Sequence, residues 1–324
     1  MDDALDPVAA ALRDWTPVRV RARSGEIDWC IADEPYTDAF FEQTADRAMK
    51  HPFNLAFTRR TPLSVLDAVA AGAPGTTPAA FIFHMSRCGS TLITQMLAQL
   101  SSAIVLSEAQ PLDALLRLRG RSTDDDTLTR WLRGMMSSFV LPLGGERRLI
   151  VKFHAWHVLE LDFIASVFPG VPCIFVFREP RDVLASQARL PGAELFPGTI
   201  DPAFCGLELE TALQLPPEEY GARVLAAFCA AALRPGRPDR CAFVDYADLP
   251  EIVFSELLER FELRAGGDDL RRMRDVMRLD SKKAGTPFRA RGEGGDPSGE
   301  IDRLAARWLD EPYAALRARA VPRP

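Results

Sequence analysis

Four places in the chain bring together residue types that bind anions and move protons. The first is "SRCGSTL". Here Ser86, Arg87, Cys88, Gly89, Ser90 and Thr91 lie between an apolar run (Phe81, Ile82, Phe83) and apolar residues at helical spacing (Leu92, Ile93, Met96, Leu97). A strand, a small-residue loop and a helix N-terminus make an anion cradle, because backbone N–H groups converge there and the helix dipole favours negative charge. This is not a Walker A loop: the G-x-x-x-x-G-K-[ST] spacing is absent, and Gly89 rather than a lysine precedes the two hydroxyls. The second place, Ser107-Glu108, offers a carboxylate. The third offers a cation and an imidazole, Lys152 and His154. The fourth, Arg178 to Asp182, offers a guanidinium ahead of a helix that starts at Pro180. Such a set suits transfer of an anionic group, with cations and N–H donors holding the charge and a carboxylate or imidazole taking a proton.

What must position these residues is a row of short buried strands. Apolar runs predict strands at 79–84, 103–106, 148–152, 172–177 and 241–244. Helical patterns fall at about 90–100, 111–118, 125–138, 156–167, 180–188, 217–234 and 248–262, with a last helix at about 299–319. The runs IFVF and CAFV lack polar alternation, as expected of strands covered on both sides. The expected fold is therefore α/β, a doubly wound parallel sheet with helices on both faces. Each of the four sets follows one of these strands, so all four share the carboxyl edge, where such sheets bind ligands.

Residues 1–77 read as a separate small α+β module, and 78–324 as the main α/β domain. The module has a hairpin about Ser24-Gly25, a helix in "YTDAFFEQTADRAMKH" capped by Thr37 or Asp38, and a helix in "TPLSVLDAVAAG" stopped by Gly72. Trp29, Phe40 and Phe41 either face a substrate or form the module's own core. The Pro-, Gly- and Leu-rich segment 189–216 reads as a lid, an apolar wall or a long connection.

Bulk properties narrow the partners. With 324 residues and a net charge of −6, general nucleic-acid binding is not expected. The six cysteines form no C-x-x-C pair, which indicates neither a zinc knuckle nor a disulfide framework and fits a reduced, cytoplasmic compartment. The N-terminus lacks a signal peptide's basic start and apolar core, and no apolar run approaches a membrane span. Asp124-Asp125-Asp126 reads as a solvated helix cap rather than a metal cluster, and His84 as a structural hydrogen-bonding residue. Cys88 has no evident relay of partners for a nucleophilic role. Oligomeric state is not legible.

The set as a whole resembles the sulfotransferase superfamily that uses 3′-phosphoadenosine 5′-phosphosulfate, in a bacterial-type form with an extra N-terminal module. "SRCGSTL" is similar to that family's 5′-phosphosulfate loop. "FVFREPRDVLAS" is similar to its 3′-phosphate element, in which an Arg ends a strand and a Ser follows eight positions later, here Arg178 and Ser186. "KFHAWHVLELDFIASVFPGVP" and "FVDYADL" resemble two further family elements, so the likeness spans roughly residues 79–250. The resemblance implies that Ser86 to Thr91 hold the 5′ phosphosulfate and that Arg178 and Ser186 read the 3′ phosphate. Lys282 and Arg289, with Lys283 and Arg291, would close over the nucleotide. Glu108 is the first candidate for the base, at a strand end where some relatives place a catalytic Glu. His154 is the second, and Lys152 would stabilise the bridging oxygen. The implied acceptor is a hydroxyl, or an amine, of a small molecule or glycan, and no metal is implied. The rival readings are an ATP-dependent kinase with an atypical phosphate loop and a non-catalytic nucleotide-binding protein of the same fold.

Overall fold

The computed structural model describes residues 7–32, 36–72, 77–143, 147–234, 241–279 and 299–322. Near the N-terminus, β1 (Thr16–Arg21) and β2 (Glu26–Cys30) pair antiparallel as the expected hairpin, with Gly25 at φ 66° in its turn. A third strand, β3 (Arg59–Pro62), pairs antiparallel with β2. Its sequence, RRTP, carries no apolar alternation. Polar contacts hold it instead: Trp29 Nε1 donates to Thr61 Oγ1 at 2.8 Å, and Arg60 pairs with Asp28 at 2.9 Å. The helix expected to begin at Thr37 or Asp38 begins later, spanning Phe41–Met49. Asp38 stays outside it and binds back to Thr44 Oγ1 at 2.6 Å and Arg47 at 2.7 Å. The next long helix of this region is Val65–Gly72.

Five strands make the main sheet: β4 (Ala80–His84), β5 (Ala103–Ser107), β6 (Arg148–Lys152), β7 (Cys173–Phe177) and β8 (Cys241–Asp245). Their order is β5-β6-β4-β7-β8 and every pairing is parallel. The chain starts in the middle at β4, winds out to β5, returns through β6 and then crosses to β7 and β8. This is the doubly wound topology, with the reversal beside β4. Every residue of β4, β5 and β7 is buried, and since side chains alternate between faces, both faces are covered.

The helices depart from expectation in detail. The run 156–167 divides into a 3-10 stretch, Ala155–Glu160, and a helix, Leu161–Val167. The last helix divides into Glu300–Trp308 and Asp310–Arg317. A helix at Gly267–Val276 was not legible, because GDDLRRMRDV is mostly charged; it buries Met273, and its Asp269 accepts from Gly266 N in its first turn. One expectation is overturned: Cys173 and Cys241 are joined by a disulfide. They are 68 residues apart in sequence, so spacing gave no sign of it. The register of β7 on β8 sets them directly opposite. The cysteine pattern therefore no longer argues for a reduced compartment. No helix among the described residues is long and apolar enough to cross a membrane.

The N-terminal sheet and the main sheet share one continuous apolar core. Tyr36 and Phe41 pack edge-on against Phe139, and the Tyr36 hydroxyl donates to the Phe139 carbonyl at 3.0 Å. The side-chain amide of Gln110 bonds both the N–H and the carbonyl of Val20, like an extra strand residue. The helix Val65–Gly72 lies on the helix Asp125–Val140 at Gly134, where a Cβ would stand 2.3 Å from the Leu66 carbonyl oxygen.

Candidate functional site

The loop after β4 is bent into a conformation that most residues avoid. Ser86 (φ 73°), Arg87 (φ 50°) and Gly89 (φ 82°) are left-handed. Four non-glycine residues with positive φ occur among the described residues, and three of them, Ser86, Arg87 and Glu108, sit at this edge of the sheet. Strain of this kind is kept only where surroundings over-determine it. Here the Ser86 N–H donates to His84 Nδ1 at 3.1 Å, and Gln187 Nε2 donates to Ser86 Oγ at 3.1 Å. Arg87 Nη2 donates to the Leu190 carbonyl at 2.5 Å, and Cys88 Sγ to the Val176 carbonyl at 3.2 Å. Gly89 is required twice over: its φ disfavours any side chain, and a Cβ would lie 2.7 Å from the Tyr246 ring. The helix Ser90–Leu97 starts directly after it, with Ser90 and Thr91 buried.

Next to this loop, Lys152 ends β6 with its side chain wholly buried. Its Nζ donates to Thr91 Oγ1 at 3.1 Å and pairs with Glu108 Oε1 at 2.7 Å. The Phe40 ring lies over the same ammonium, 5.0 Å from Nζ to centroid. Glu108 follows β5 with φ 51°, and its N–H donates to the Lys152 carbonyl at 2.8 Å, so backbone and side chain face the same residue. Burial pushes the Glu108 carboxyl up. The Lys152 charge and a hydrogen bond from His84 outweigh that and hold it well below the usual carboxylate range. His84 Nδ1 accepts from Ser86, so Nε2 carries the proton; it donates to the Phe153 carbonyl at 3.1 Å and lies 3.5 Å from Glu108. The structural role expected for His84 is present, and the residue also touches the candidate base.

Across β4 from these groups, Arg178 follows β7. Its guanidinium lies 4.3 Å over the Tyr246 ring and pairs with Asp182 at 2.6 Å. Ser186 is half-buried two turns along the same helix, Pro180–Arg189, in which Pro180 takes the first turn and Glu179 caps Asp182 N–H. Lys282, Lys283, Arg289 and Arg291 lie outside the described residues.

His154 is close enough to Glu108 for their charges to interact. It stacks on Trp156 at 4.5 Å, and burial together with His157 brings its imidazole down to about 4. Asp113, His154 and His157 form a group of metal-ligand composition. The carboxylate of Asp113 already accepts from Arg117 at 2.7 Å, Trp156 at 2.7 Å and His157 at 2.9 Å. The Asp124 cap is as expected, accepting from Thr127 N–H at 2.8 Å. Sequence reading missed Gln187 and Tyr246 as parts of the site. Gln187 ties Ser86 to Glu194 (2.9 Å) and accepts from Gly192 N–H (2.8 Å). Only the folded position of the chain, not the residue type, reveals this.

The topology and edge define a class: a parallel α/β protein with a strained glycine-containing loop after β4 and, along the same sheet edge, Arg87, Lys152, Arg178 and the carboxylate of Glu108. A family model described as "Sulfotransferase family" matches residues 78–264, and the chain belongs to that family. No curated protein matches it. Among solved structures, it is similar to sulfotransferase STF9 from Mycobacterium avium, with 14% identity over 96% of this chain and 97% of that one, at a TM-score of 0.47. The sulfotransferase domain of the Synechococcus PCC 7002 olefin synthase gives 17% identity, 77% and 98% coverage, and a TM-score of 0.44. A sulfotransferase from Alicyclobacillus acidocaldarius gives 13% identity, 74% and 94% coverage, and a TM-score of 0.45.

Proposed function

We propose that the protein transfers a sulfuryl group from 3′-phosphoadenosine 5′-phosphosulfate to a hydroxyl, or an amine, of a small molecule or glycan. The observation that carries this reading is the unbroken chain Thr91–Lys152–Glu108, which links the anion loop to a carboxylate through one buried cation. The residues suit such a donor. Loop N–H groups and the start of the helix Ser90–Leu97 face anionic oxygens, with Arg87 and Ser90 beside them. Arg178 offers a planar fork to the 3′ phosphate, with Ser186 on the helix that follows it. The donor supplies a sulfuryl group on a phosphate leaving group. Glu108 accepts the proton of the acceptor as its oxygen bonds to sulfur. Lys152 and Thr91 stabilise the electron pair that returns to the bridging oxygen as the old sulfur–oxygen bond breaks.

Glu108 is a weak base while Lys152 holds it. Negative charge placed in the loop competes for Lys152 and so raises the basicity of Glu108 where the reaction needs it. This favours Glu108 over His154, whose imidazole has no hydrogen bond to that pair and is itself weakly basic. A sulfuryl group carries less charge than a phosphoryl group, and Lys152 and Arg87 supply positive charge, so the proposed reaction needs no divalent cation.

The test is calorimetric titration of EDTA-treated protein with 3′-phosphoadenosine 5′-phosphate, ADP and ATP. The expected result is tight binding of the first alone, weakened about 10- to 100-fold in Arg178→Ala, the range of charge-assisted hydrogen bonds. ATP binding that appears only with Mg²⁺ would instead identify a kinase. Nucleotide binding without transfer to any acceptor would identify a non-catalytic protein.

A further inference from the structure

The family match begins at residue 78, so the N-terminal sheet and its helices lie outside it. Their position on the main sheet is nevertheless specific. The strand order places Arg178 and Tyr246 after β7 and β8, on one side of β4, and Glu108 after β5 and Lys152 at the end of β6, on the other. On the reading proposed above, the nucleotide spans from the loop after β4 toward β8. The acceptor must then come over β6 and β5. That is the side on which the N-terminal region packs: β1 lies against the helix following β5, through Gln110 and Val20.

The segment 36–41 meets this side and is tied to its neighbours by several contacts. Tyr36 and Phe41 are buried against Phe139, one on each side of Phe40 in sequence. Gln95, on the helix that follows the anion loop, donates to the Thr37 carbonyl at 3.2 Å. Asp38 is fixed by Thr44 and Arg47. Phe40 is half-buried, and its ring face covers the Lys152 ammonium. Trp29 and Phe41, both 2% exposed, are core residues, so of the three aromatics left open by sequence only Phe40 reaches the site.

We propose that the N-terminal region completes the transfer site, with Phe40 as a positioning residue that covers Lys152 and forms the wall past which an acceptor reaches Glu108. The inference rests on the proposed function. Its physical basis is twofold. A π face attracts an ammonium, and a desolvated ammonium acts more strongly on charge that develops beside it. Phe40 thereby keeps Lys152 between Thr91 and Glu108 rather than in water.

The test needs no known acceptor. Full-length protein is pulsed with acetic anhydride, and labelling of Lys152 is compared with that of the exposed Lys50 by peptide mass spectrometry. In the wild type Lys152 is expected to label at least about tenfold more slowly than Lys50, as burial of an amine slows its acylation. Phe40→Leu keeps apolar volume without the ring face, and is expected to speed labelling of Lys152 roughly 3- to 30-fold, with Lys50 unchanged. Phe40→Trp, which restores a ring, is expected to return protection. Equal protection in Phe40→Leu and Phe40→Trp, or fast labelling of Lys152 in the wild type, overturns the proposal. The same samples are titrated with 3′-phosphoadenosine 5′-phosphate. Loss of that binding in the wild type sinks the functional reading, whereas intact binding with unprotected Lys152 sinks only the role of Phe40.

Discussion

At the residue scale, the site is governed by one cation shared between two partners. Lys152 is bound at once to Thr91 and Glu108, and its burial leaves it no water to trade for either. Glu108→Gln keeps the shape and removes the base. Turnover is expected to fall about 10²- to 10⁴-fold, the usual worth of a general base. Nucleotide affinity in the same variant should hold or rise, since Lys152 loses a competing anion. Near-normal turnover would transfer the base role to His154. His154 also makes a prediction about pH. Its imidazole titrates at about 4 when folded against an ordinary 6.5, so between these values the unfolded chain binds the extra proton. Stability is therefore expected to decline as pH falls from about 6.5 to 4, by up to about 3 kcal/mol. Glu108, also depressed, adds a loss of the same sign below the ordinary carboxylate range. Urea melts of wild type and His154→Gln across this window check the first part, and the variant should show the flatter profile.

At the scale of elements, the loop after β4 is a strained turn clamped from two directions. Gln187 and His84 hold Ser86, while Tyr246 closes on Gly89. Gly89→Ala puts a Cβ 2.7 Å from that ring in a left-handed backbone, so either the loop or Tyr246 must move. Since Tyr246 also lies under Arg178, the expected outcome is loss of nucleotide binding in calorimetry with a folded circular-dichroism spectrum. Binding as tight as in the wild type would show that the loop tolerates the shift. Strands β4 to β8 were legible in the sequence to within a residue or so, because buried parallel strands are apolar throughout. Strand β3 and the helix Gly267–Val276 were not, because polar contacts rather than an apolar face hold the former and the latter is mostly charged.

For the whole molecule, the question is how the N-terminal region and the main sheet depend on each other. Their contact at Gly134 and Leu66 is backbone against helix, with no room for a methyl group. Gly134→Ala is expected to destabilise the protein by about 1–3 kcal/mol, as overpacking does, read as a lowered urea midpoint. If the two regions fold together, the melt remains a single transition; two separated transitions would show them to be independent.

The parallel α/β fold and the alignment of Arg87, Glu108, Lys152 and Arg178 along one sheet edge could be read from the sequence alone. Apolar periodicity and strand ends are local signals, and a parallel sheet carries every strand end to the same side. Which groups touch was not legible in the sequence and depends on how the chain packs. Packing put Lys152 between Thr91 and Glu108, set His154 beside Trp156, joined Cys173 to Cys241, and brought Phe40 over the buried ammonium. Those contacts depend on strand order, register and the packing of distant segments, which residue spacing along the chain does not encode.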